Sequence, residues 1–296
     1  MSFTNLKKNS KSNLEILQKK LEEQNKPSYE DDRFWKATRD KAGNGFAIIR
    51  FLPASEGEAL PFAKYYYHSF KGPGGKFYNE NCPTSLNGSK CYTCEQNSLL
   101  WNSGLDSDKL IARSRKRNLT YISNIYVVKD PANPENEGKV FLFRYGKKIH
   151  DKIMSSLKPE LKEDEPIDPF DLWSGRNFRL KIKTITDGNN KFPNYDDSQL
   201  DPSSPLLKGD DKELEKVWKS QHKLTPFVDP SQFKSYEVLK EHFINVMGGQ
   251  SSPSASTPTK AAVKKIIEQD EEAPFDENES AAEYFKRLQN DEENEN

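Results

Sequence analysis

Residues 121–145 read YISNIYVVKDPANPENEGKVFLFRY, and this stretch decides the fold. Tyr121 to Val128 is rich in β-branched and aromatic residues and leads into the turn-forming residues Lys129 to Gly138. Val140 to Tyr145 then alternates between two faces, with an aromatic ring at every second position. β-branched and aromatic residues favour strands, and a period of two is typical of a strand with one buried face. The stretch therefore predicts two strands separated by a loop.

Two further segments extend this pattern. Phe46 to Leu52 is a short apolar run that Pro53 closes, and Asn177 to Ile185 alternates between an apolar and a cationic face. Several short strands with long insertions between them predict a mainly β (α+β) fold, built as a small barrel or strongly curved sheet. Helices are expected later in the chain, at Lys212 to Lys223 and at Tyr236 to Met247.

Charge is distributed unevenly along the 296 residues, although the formal net charge is only -1. Residues 268–296 contain 12 acidic and 2 basic residues, a net charge of -10, so residues 1–267 carry +9. A basic body with an acidic tail indicates a polyanion partner, and a tail that could compete for the same surface.

Composition divides the chain into four regions. These are a basic N-terminal arm (1–24), a globular core (25–249), a flexible Ser/Pro/Thr-rich linker (250–267) and the acidic tail (268–296). No run of about 18 apolar residues predicts a membrane span, and the first residues lack the apolar segment of a secretion signal. Three cysteines are too few for a disulfide scaffold, which favours a reducing compartment.

All three cysteines, Cys82, Cys91 and Cys94, lie within thirteen residues, and His68 precedes the first by fourteen. A Cys-x-x-Cys pair presents two thiolates to one ion, and a third cysteine and a histidine would complete a tetrahedral site. Such a closed site has no position for a catalytic water, so it predicts one structural Zn²⁺ within the Gly-rich insert of residues 64–112. A redox Cys-x-x-Cys motif and incidental buried cysteines are the alternatives.

Cationic and aromatic residues are interleaved at several places in the core. Cations neutralise phosphates, and planar rings stack on unpaired bases at about 1 to 3 kcal/mol each with little sequence preference. The repetition of this pairing in a basic body predicts binding of single-stranded nucleic acid. The alternative for each ring is packing in the core. The cations predicted to meet phosphates are Arg115, Lys116, Arg117, Arg144 and Lys181.

Four features of the sequence match one known family. They are the run Asn124 to Phe141 with its continuation to Ile153, the segment Ala42 to Gly45 followed by Ile49-Arg-Phe-Leu-Pro53, the order of the histidine and the three cysteines, and the acidic ending. In these features the whole chain resembles the gene 32-type single-stranded-DNA-binding (helix-destabilising) proteins of T4-like bacteriophages.

The resemblance implies an OB-fold core, a five-stranded barrel with C-terminal helices, whose inserted zinc subdomain binds the ion through His68, Cys82, Cys91 and Cys94. It implies a protein that coats single-stranded DNA cooperatively, protects it and removes its secondary structure during phage DNA replication, recombination and repair, in the cytoplasm of the infected bacterium. The stacking rings it implies are Phe77, Tyr78, Tyr121, Phe143, Tyr145, Phe192 and Tyr195.

The two ends of the chain have implied roles as well. The resemblance implies that the basic arm is a self-association element that links monomers head to tail along DNA. The residues of the arm to which it assigns this role are Lys7, Lys8, Ser10 and Lys11. It makes the acidic tail a contact for phage replication and recombination proteins such as the polymerase, the helicase loader and the recombinase.

Enzymatic activity is not expected, because no nucleophile and base are arranged for it in the sequence. Two other hypotheses stay open. A metal-dependent nuclease or other nucleic-acid enzyme could carry a structural zinc site, and an RNA-binding regulator would show the same pairing of cations and rings.

Overall fold

The computed structural model describes residues 31–159, 165–187 and 190–248. The chain divides into two compact units, residues 1–35 and 36–296. In the first unit the described residues form a turn, closed by an ion pair between Arg33 and Asp31 (2.6 Å), and the short strand β1 (Phe34–Trp35). The predicted arm (1–24), linker (250–267) and tail (268–296) lie outside the described residues.

In its described part, the second unit is mainly β with several helices, as predicted. The strands are β2 (Gly45–Phe51), β3 (Phe62–Lys71), β4 (Phe77–Asn81), β5 (Arg117–Lys129), β6 (Val140–Tyr145), β7 (Arg176–Asp187), β8 (Asn190–Asn194) and β9 (Gln199–Ser203). The α-helices are α1 (Tyr92–Trp101), α2 (Asp106–Ser114), α3 (Lys147–Leu157), α4 (Asp211–Lys219) and α5 (Tyr236–Val246). Short 3₁₀ turns lie at Pro83–Ser85, Pro134–Asn136, Leu206–Gly209, Thr225–Phe227 and Pro230–Gln232.

Strand β5 is the centre of the sheet, and all its partners are antiparallel. It pairs with β6 on one edge, while on the other edge its first half pairs with β3 and its second half with β2. Strand β2 continues to β7, which pairs with β8 and β9, and β3 continues to β4. Strand β5, which pairs with all three, thus connects the central region of the sheet to the β3–β4 hairpin.

Directly opposed residues lie on the same face of a sheet, so the register defines two faces. The inner face carries Phe51 on β2, which is fully buried and contacts the rings of Phe143 (6.3 Å), Tyr145 (5.3 Å) and Phe178 (5.8 Å). Helix α4 packs over part of the outer face, together with the loops that contain Leu172 and Leu206. The outer-face cluster consists of Leu52, Tyr126, Leu172, Leu206, Leu214 and Val217.

A second core joins the β3–β4 hairpin, helix α1 and helix α5. Glu80 of β4 links this hairpin to the C-terminal part, because its carboxylate bonds both Lys234 and His242 at 2.6 Å. Backbones approach closely here, since a Cβ on Gly72 would lie 2.2 Å from the Val246 carbonyl oxygen. The apolar members of this core are Phe70, Tyr78, Cys82, Cys91, Tyr92, Leu239, Phe243, Val246 and Met247.

The four predicted strands and two predicted helices are confirmed, with shifts at their ends. Strand β5 begins four residues before the predicted Tyr121, and α4 ends at Lys219 rather than at Lys223. Asp210 and Ser235 begin α4 and α5, and their side chains accept hydrogen bonds from backbone amides of the first turn. No helix in the described ranges is long and apolar enough to cross a membrane.

Candidate nucleic-acid interface beside a four-residue metal cluster

The four predicted metal ligands come together. The ligand atoms of His68, Cys82, Cys91 and Cys94 all lie within 4.8 Å of one another. His68 Nε2 is 3.5 Å from Cys91 Sγ and 3.4 Å from Cys94 Sγ, and Cys82 Sγ is 3.5 Å from Cys94 Sγ. These separations fit the edges of a tetrahedron around one ion, which are roughly 3.4 to 3.8 Å for Zn–N and Zn–S bonds. The cluster could therefore hold a metal ion.

Local structure explains how these side chains meet. His68 lies on β3, Cys82 directly follows β4, and Cys91 caps the beginning of α1, so that Cys94 falls in the first turn of that helix. A Cys-x-x-Cys pair at a helix start is also the position of redox motifs. The presence of a third thiol and an imidazole in the same buried cluster favours metal binding over that alternative.

The cluster shifts the protonation of its own members. Hydrogen bonds from Cys91 and Cys94 hold the pKa of the Cys82 thiol far below its usual value. Burial lowers the pKa of His68, but the contacts with Cys82 and Cys91 outweigh it and raise the pKa to about 10. A bound cation would displace the protons that the histidine and the thiols carry in its absence.

The cluster also fixes the basic run Arg115 to Arg117. His68 Nδ1 lies 2.9 Å from the Arg115 carbonyl oxygen, to which Asn97 of α1 donates a second hydrogen bond (2.8 Å). Arg117 donates to Thr84 Oγ1 (2.8 Å), which is itself 3.1 Å from Cys82 Sγ. The backbone of this run is therefore held by the same elements that present the metal ligands.

Between the metal cluster and the buried inner-face core lies a solvent-accessible strip. It consists of the exposed Lys64 and the half-buried Tyr66 on β3 and of the half-buried Arg117 and Leu119 on β5, and we call it the exposed band. The register places Tyr66 opposite Leu119 and Lys64 opposite Tyr121, so all these residues share the inner face. The Arg117 guanidinium lies over the Tyr66 ring at 4.2 Å. Cations and a ring are thus combined in one strip, as phosphate contact and base stacking require.

Several rings predicted to stack on bases are packed in the core instead. Tyr121 (5% exposed), Phe143 (7%) and Tyr145 (4%) stack on one another with centroid distances of 5.6 Å. The hydroxyl groups of Tyr145 and Ser123 also form a hydrogen bond with each other (2.8 Å). For these three rings the structure favours core packing, the alternative that the sequence left open.

Tyr78 is likewise removed from the surface. It is fully buried, stacks on Phe70 at 4.9 Å and accepts a hydrogen bond from Thr93 (3.0 Å) in the core shared with α5. Its neighbour Phe77 is on the opposite face of β4 and 63% exposed, with Lys71 5.6 Å from its ring. Of this adjacent pair, only Phe77 presents its ring to solvent.

The remaining predicted contacts are distributed over several strands and the second core. Phe192 is exposed on β8, Tyr195 is half-buried just after it, and Arg144 is exposed on β6. Lys116 and Lys181 are half-buried. Arg115 turns towards the second core, where its guanidinium lies 5.7 Å from the ring of Phe70, and burial lowers its pKa. The structure therefore does not bring all the predicted cations to one surface.

Sequence reasoning missed Lys64, Tyr66 and Ile185. Ile185 is 50% exposed and pairs across the hairpin with Phe192, which forms an apolar pair on the surface beside Lys183. A signal for Lys64 and Tyr66 exists in the alternation Lys64-x-Tyr66-x-His68, which puts a cation and a ring on the same strand face as a metal ligand.

A β core with a cluster of three cysteines and one histidine beside cations and accessible rings is typical of nucleic-acid-binding proteins. Residues 43–247 match the family described as gp32 DNA binding protein like, and the chain belongs to this family.

Two curated relatives match about four fifths of the chain. The chain is 40% identical over 244 residues to the single-stranded DNA-binding protein of Enterobacteria phage T4, a match that covers 80% of this chain and 78% of that protein. It is 38% identical over 247 residues to the protein of that description from Enterobacteria phage T2, covering 81% of this chain and 78% of the relative. A shorter match, 50% identical over 58 residues, covers 20% of this chain and 50% of a single-stranded DNA-binding protein of Escherichia phage SV14.

Proposed function

We propose that this protein binds single-stranded DNA without sequence preference, along the exposed band between the metal cluster and the inner-face core. The observation that carries the proposal is the placement of Arg117 over Tyr66 with Lys64 two residues away on the same strand face. Both 38–40% identical relatives are named single-stranded DNA-binding proteins, which supports the same ligand here. Phe77, Phe192 and Ile185 provide further accessible apolar surface, although the register places Phe77 on the face of the β3–β4 hairpin opposite to the band.

The metal cluster takes one structural Zn²⁺ in this proposal. His68, Cys82, Cys91 and Cys94 supply one nitrogen and three sulfurs, a donor set that suits zinc in a closed site. When bound, the ion would hold β3, β4 and α1 together. The function of the insert is then to keep the Arg115–Arg117 run in place, and with it the band residue Arg117, since His68 and Asn97 bond the Arg115 backbone.

The finer architecture is also a proposal. We assign the central strands to an OB-fold because β5 is shared by β2, β3 and β6 and because one aromatic core fills the inner face. A five-stranded barrel of this kind commonly binds oligonucleotides across its strands.

The roles of the chain ends follow from charge and from the family. We propose that the basic arm links monomers cooperatively along DNA and that the acidic tail contacts phage replication and recombination proteins. The protein would act in the cytoplasm of the infected bacterium and would remove secondary structure by mass action, since a ligand of the open strand shifts the equilibrium towards it. We propose no enzymatic activity.

A binding assay with an integrity control tests the proposal. Fluorescence anisotropy of a labelled oligothymidylate should show binding, and an unlabelled single strand should compete far better than the matching duplex. Lys64→Ala should weaken binding, whereas Lys212→Ala should not, because Lys212 is an exposed cation on α4, which packs over the outer face. Equal competition by duplex, or equal effects of the two variants, would overturn the assignment.

The same samples separate coating from nuclease action. Labelled strands incubated with the protein and Mg²⁺ should stay intact on a denaturing gel. Cleavage that depends on Mg²⁺ would replace our proposal with the nuclease hypothesis, and preferential competition by RNA would favour the RNA-binding alternative.

A further inference from the structure

His150 closes one end of the exposed band. It lies in the first turn of α3, and its ring stacks on Tyr121 with a centroid distance of 3.8 Å and an interplanar angle of 9°. The edge of Phe62 packs against it at 5.0 Å. Tyr121 is directly opposite Lys64, so this half-buried imidazole is placed beside the band's exposed cation.

His150 has cationic neighbours, and one of its ring nitrogens has no hydrogen-bond partner in the described part of the chain. The groups that face it are Lys64 from β3, Tyr121 from β5, Tyr145 from β6, and Lys147 and Asp151 from α3 itself. Lys147 and Asp151 form an ion pair at 3.0 Å. The Nδ1 atom of His150 is buried and has no hydrogen-bond partner in the described part of the chain.

Burial lowers the pKa of His150, and although Asp151 opposes this effect, Lys64 and Lys147 add to it. The lowered pKa favours the neutral imidazole in the free protein. Burial is the larger cause, but Lys64 and Lys147 also disfavour the imidazolium, and both are cations that a bound phosphate backbone would neutralise.

From this geometry we infer that His150 contacts the backbone of bound single-stranded DNA and takes up a proton when the DNA binds. The inference rests on the proposed function, because it places the strand on the exposed band. Phosphates beside Lys64 and Lys147 would cancel the repulsion that disfavours the imidazolium and would add an attractive charge. A complex that binds one more proton than the free protein becomes tighter as the pH falls.

The expected size follows from linkage. The affinity gains up to a factor of ten for each unit by which the pKa in the complex exceeds that in the free protein. An opposite charge at about 4 to 6 Å commonly moves a pKa by about one unit or more, so we expect about tenfold tighter binding between about pH 8 and pH 5.5.

The test measures the affinity of the full chain for a short labelled oligothymidylate across this range, at constant salt. Thymine does not titrate there, and a short strand keeps cooperativity out of the measurement. The wild type should bind about tenfold more tightly at the low end, and titration calorimetry in buffers of different ionisation enthalpy should report proton uptake near pH 6.5.

His150→Phe keeps an aromatic ring on Tyr121 but cannot titrate, so its affinity should be independent of pH in this range. His150→Gln, a polar replacement, should behave in the same way if the larger ring disturbs the fold. His222→Gln is the matched control, because the backbone of His222 is bonded to Asn124 on the outer face, and it should keep the wild-type pH dependence.

The outcomes distinguish the two proposals. Binding that is independent of pH in the wild type, or a pH dependence that survives in both His150 variants, would overturn the inference and leave the proposed function in place. Absence of binding to any single strand at any pH would overturn the proposed function itself.

Discussion

The contrast between Phe143 and Phe77 provides a sharp prediction, because both rings were candidates for base stacking and the structure separates them. Phe143 is 7% exposed and packs between Phe51 and Tyr145, whereas Phe77 is 63% exposed. The perturbation is the same in both cases, truncation to alanine. It should affect stability at one position and DNA affinity at the other.

The magnitudes follow from burial. Removal of a buried phenyl ring costs about 3 to 5 kcal/mol, so Phe143→Ala should lower Tm by about 6 to 20 °C for a domain of this size. Phe77→Ala should change the free energy of unfolding by less than about 0.5 kcal/mol. If its ring stacks on one base, the variant should lose about 1 to 3 kcal/mol of binding free energy, which corresponds to about 5- to 150-fold in Kd.

The assay combines differential scanning calorimetry of each variant with anisotropy of a labelled oligothymidylate at a temperature where both variants are folded. Phe143→Ala should then bind DNA nearly as well as the wild type. A Phe143→Ala variant with unchanged Tm and lost affinity would refute the reasoning, because it would mean that the ring is available to bases.

Three further predictions concern the band, the metal and acid stability. Arg117→Ala and Lys64→Ala should each weaken binding on all sequences alike and reduce the slope of log K against log salt by about 0.7, as measured by salt titration; unchanged slopes would remove these residues from the interface. Chelation of the proposed Zn²⁺, or Cys91→Ser, should lower Tm and speed amide hydrogen exchange in α5, because α5 packs on the elements that carry the four candidate ligands; unchanged exchange in α5 would contradict that coupling. Burial raises the pKa of Glu58, but hydrogen bonds led by that from the Thr225 amide lower it overall. Because the pKa of Glu58 is lower in the folded protein, its ionised carboxylate stabilises the fold above the unfolded pKa of about 4.3, and this contribution is lost as the pH falls. Glu58→Gln should therefore lose less stability than the wild type on acidification in urea melts; equal losses would refute this.

Local sequence patterns were sufficient to predict strands in which buried and exposed residues alternate regularly. Both ends of strand β6 were predicted correctly, because aromatic residues occupy every second position from Val140 to Tyr145 without interruption. Strand β3 was not predicted, since its sequence FAKYYYHSFK mixes rings and polar residues on both faces. Its conformation depends on pairing with β4 and β5, and β5 is about fifty residues away in sequence.

Helix α1 was missed for a different reason. Its buried residues, Tyr92 and Thr93, lie together at one end next to Cys91, so no apolar repeat of helical period is present. The gathering of Cys91 and Cys94 with His68 and Cys82, and the contact of Tyr92 with Phe243 (5.4 Å), place this helix instead. Neither influence is visible in a local pattern of hydrophobicity.

The four candidate metal ligands could be predicted because chelation leaves a characteristic spacing in the sequence, and the structure brings all four together. The stacking rings could not be separated from core rings in the same way. Phe143 and Phe77 have similar neighbours in the sequence, yet one faces the inner core and the other faces solvent. The sheet face that a ring occupies is decided by strand pairing, which is a tertiary property.

The central claim is that single-stranded DNA lies along the exposed band, and photo-cross-linking tests it most directly. A strand containing a photoreactive thymine analogue is irradiated with the protein, and the cross-linked peptides are identified by mass spectrometry. Our account predicts cross-links in residues 62–71 and 117–119, including Tyr66. Cross-links confined to the outer-face helix α4 and its flanking loops, with none on β3 or β5, would contradict it.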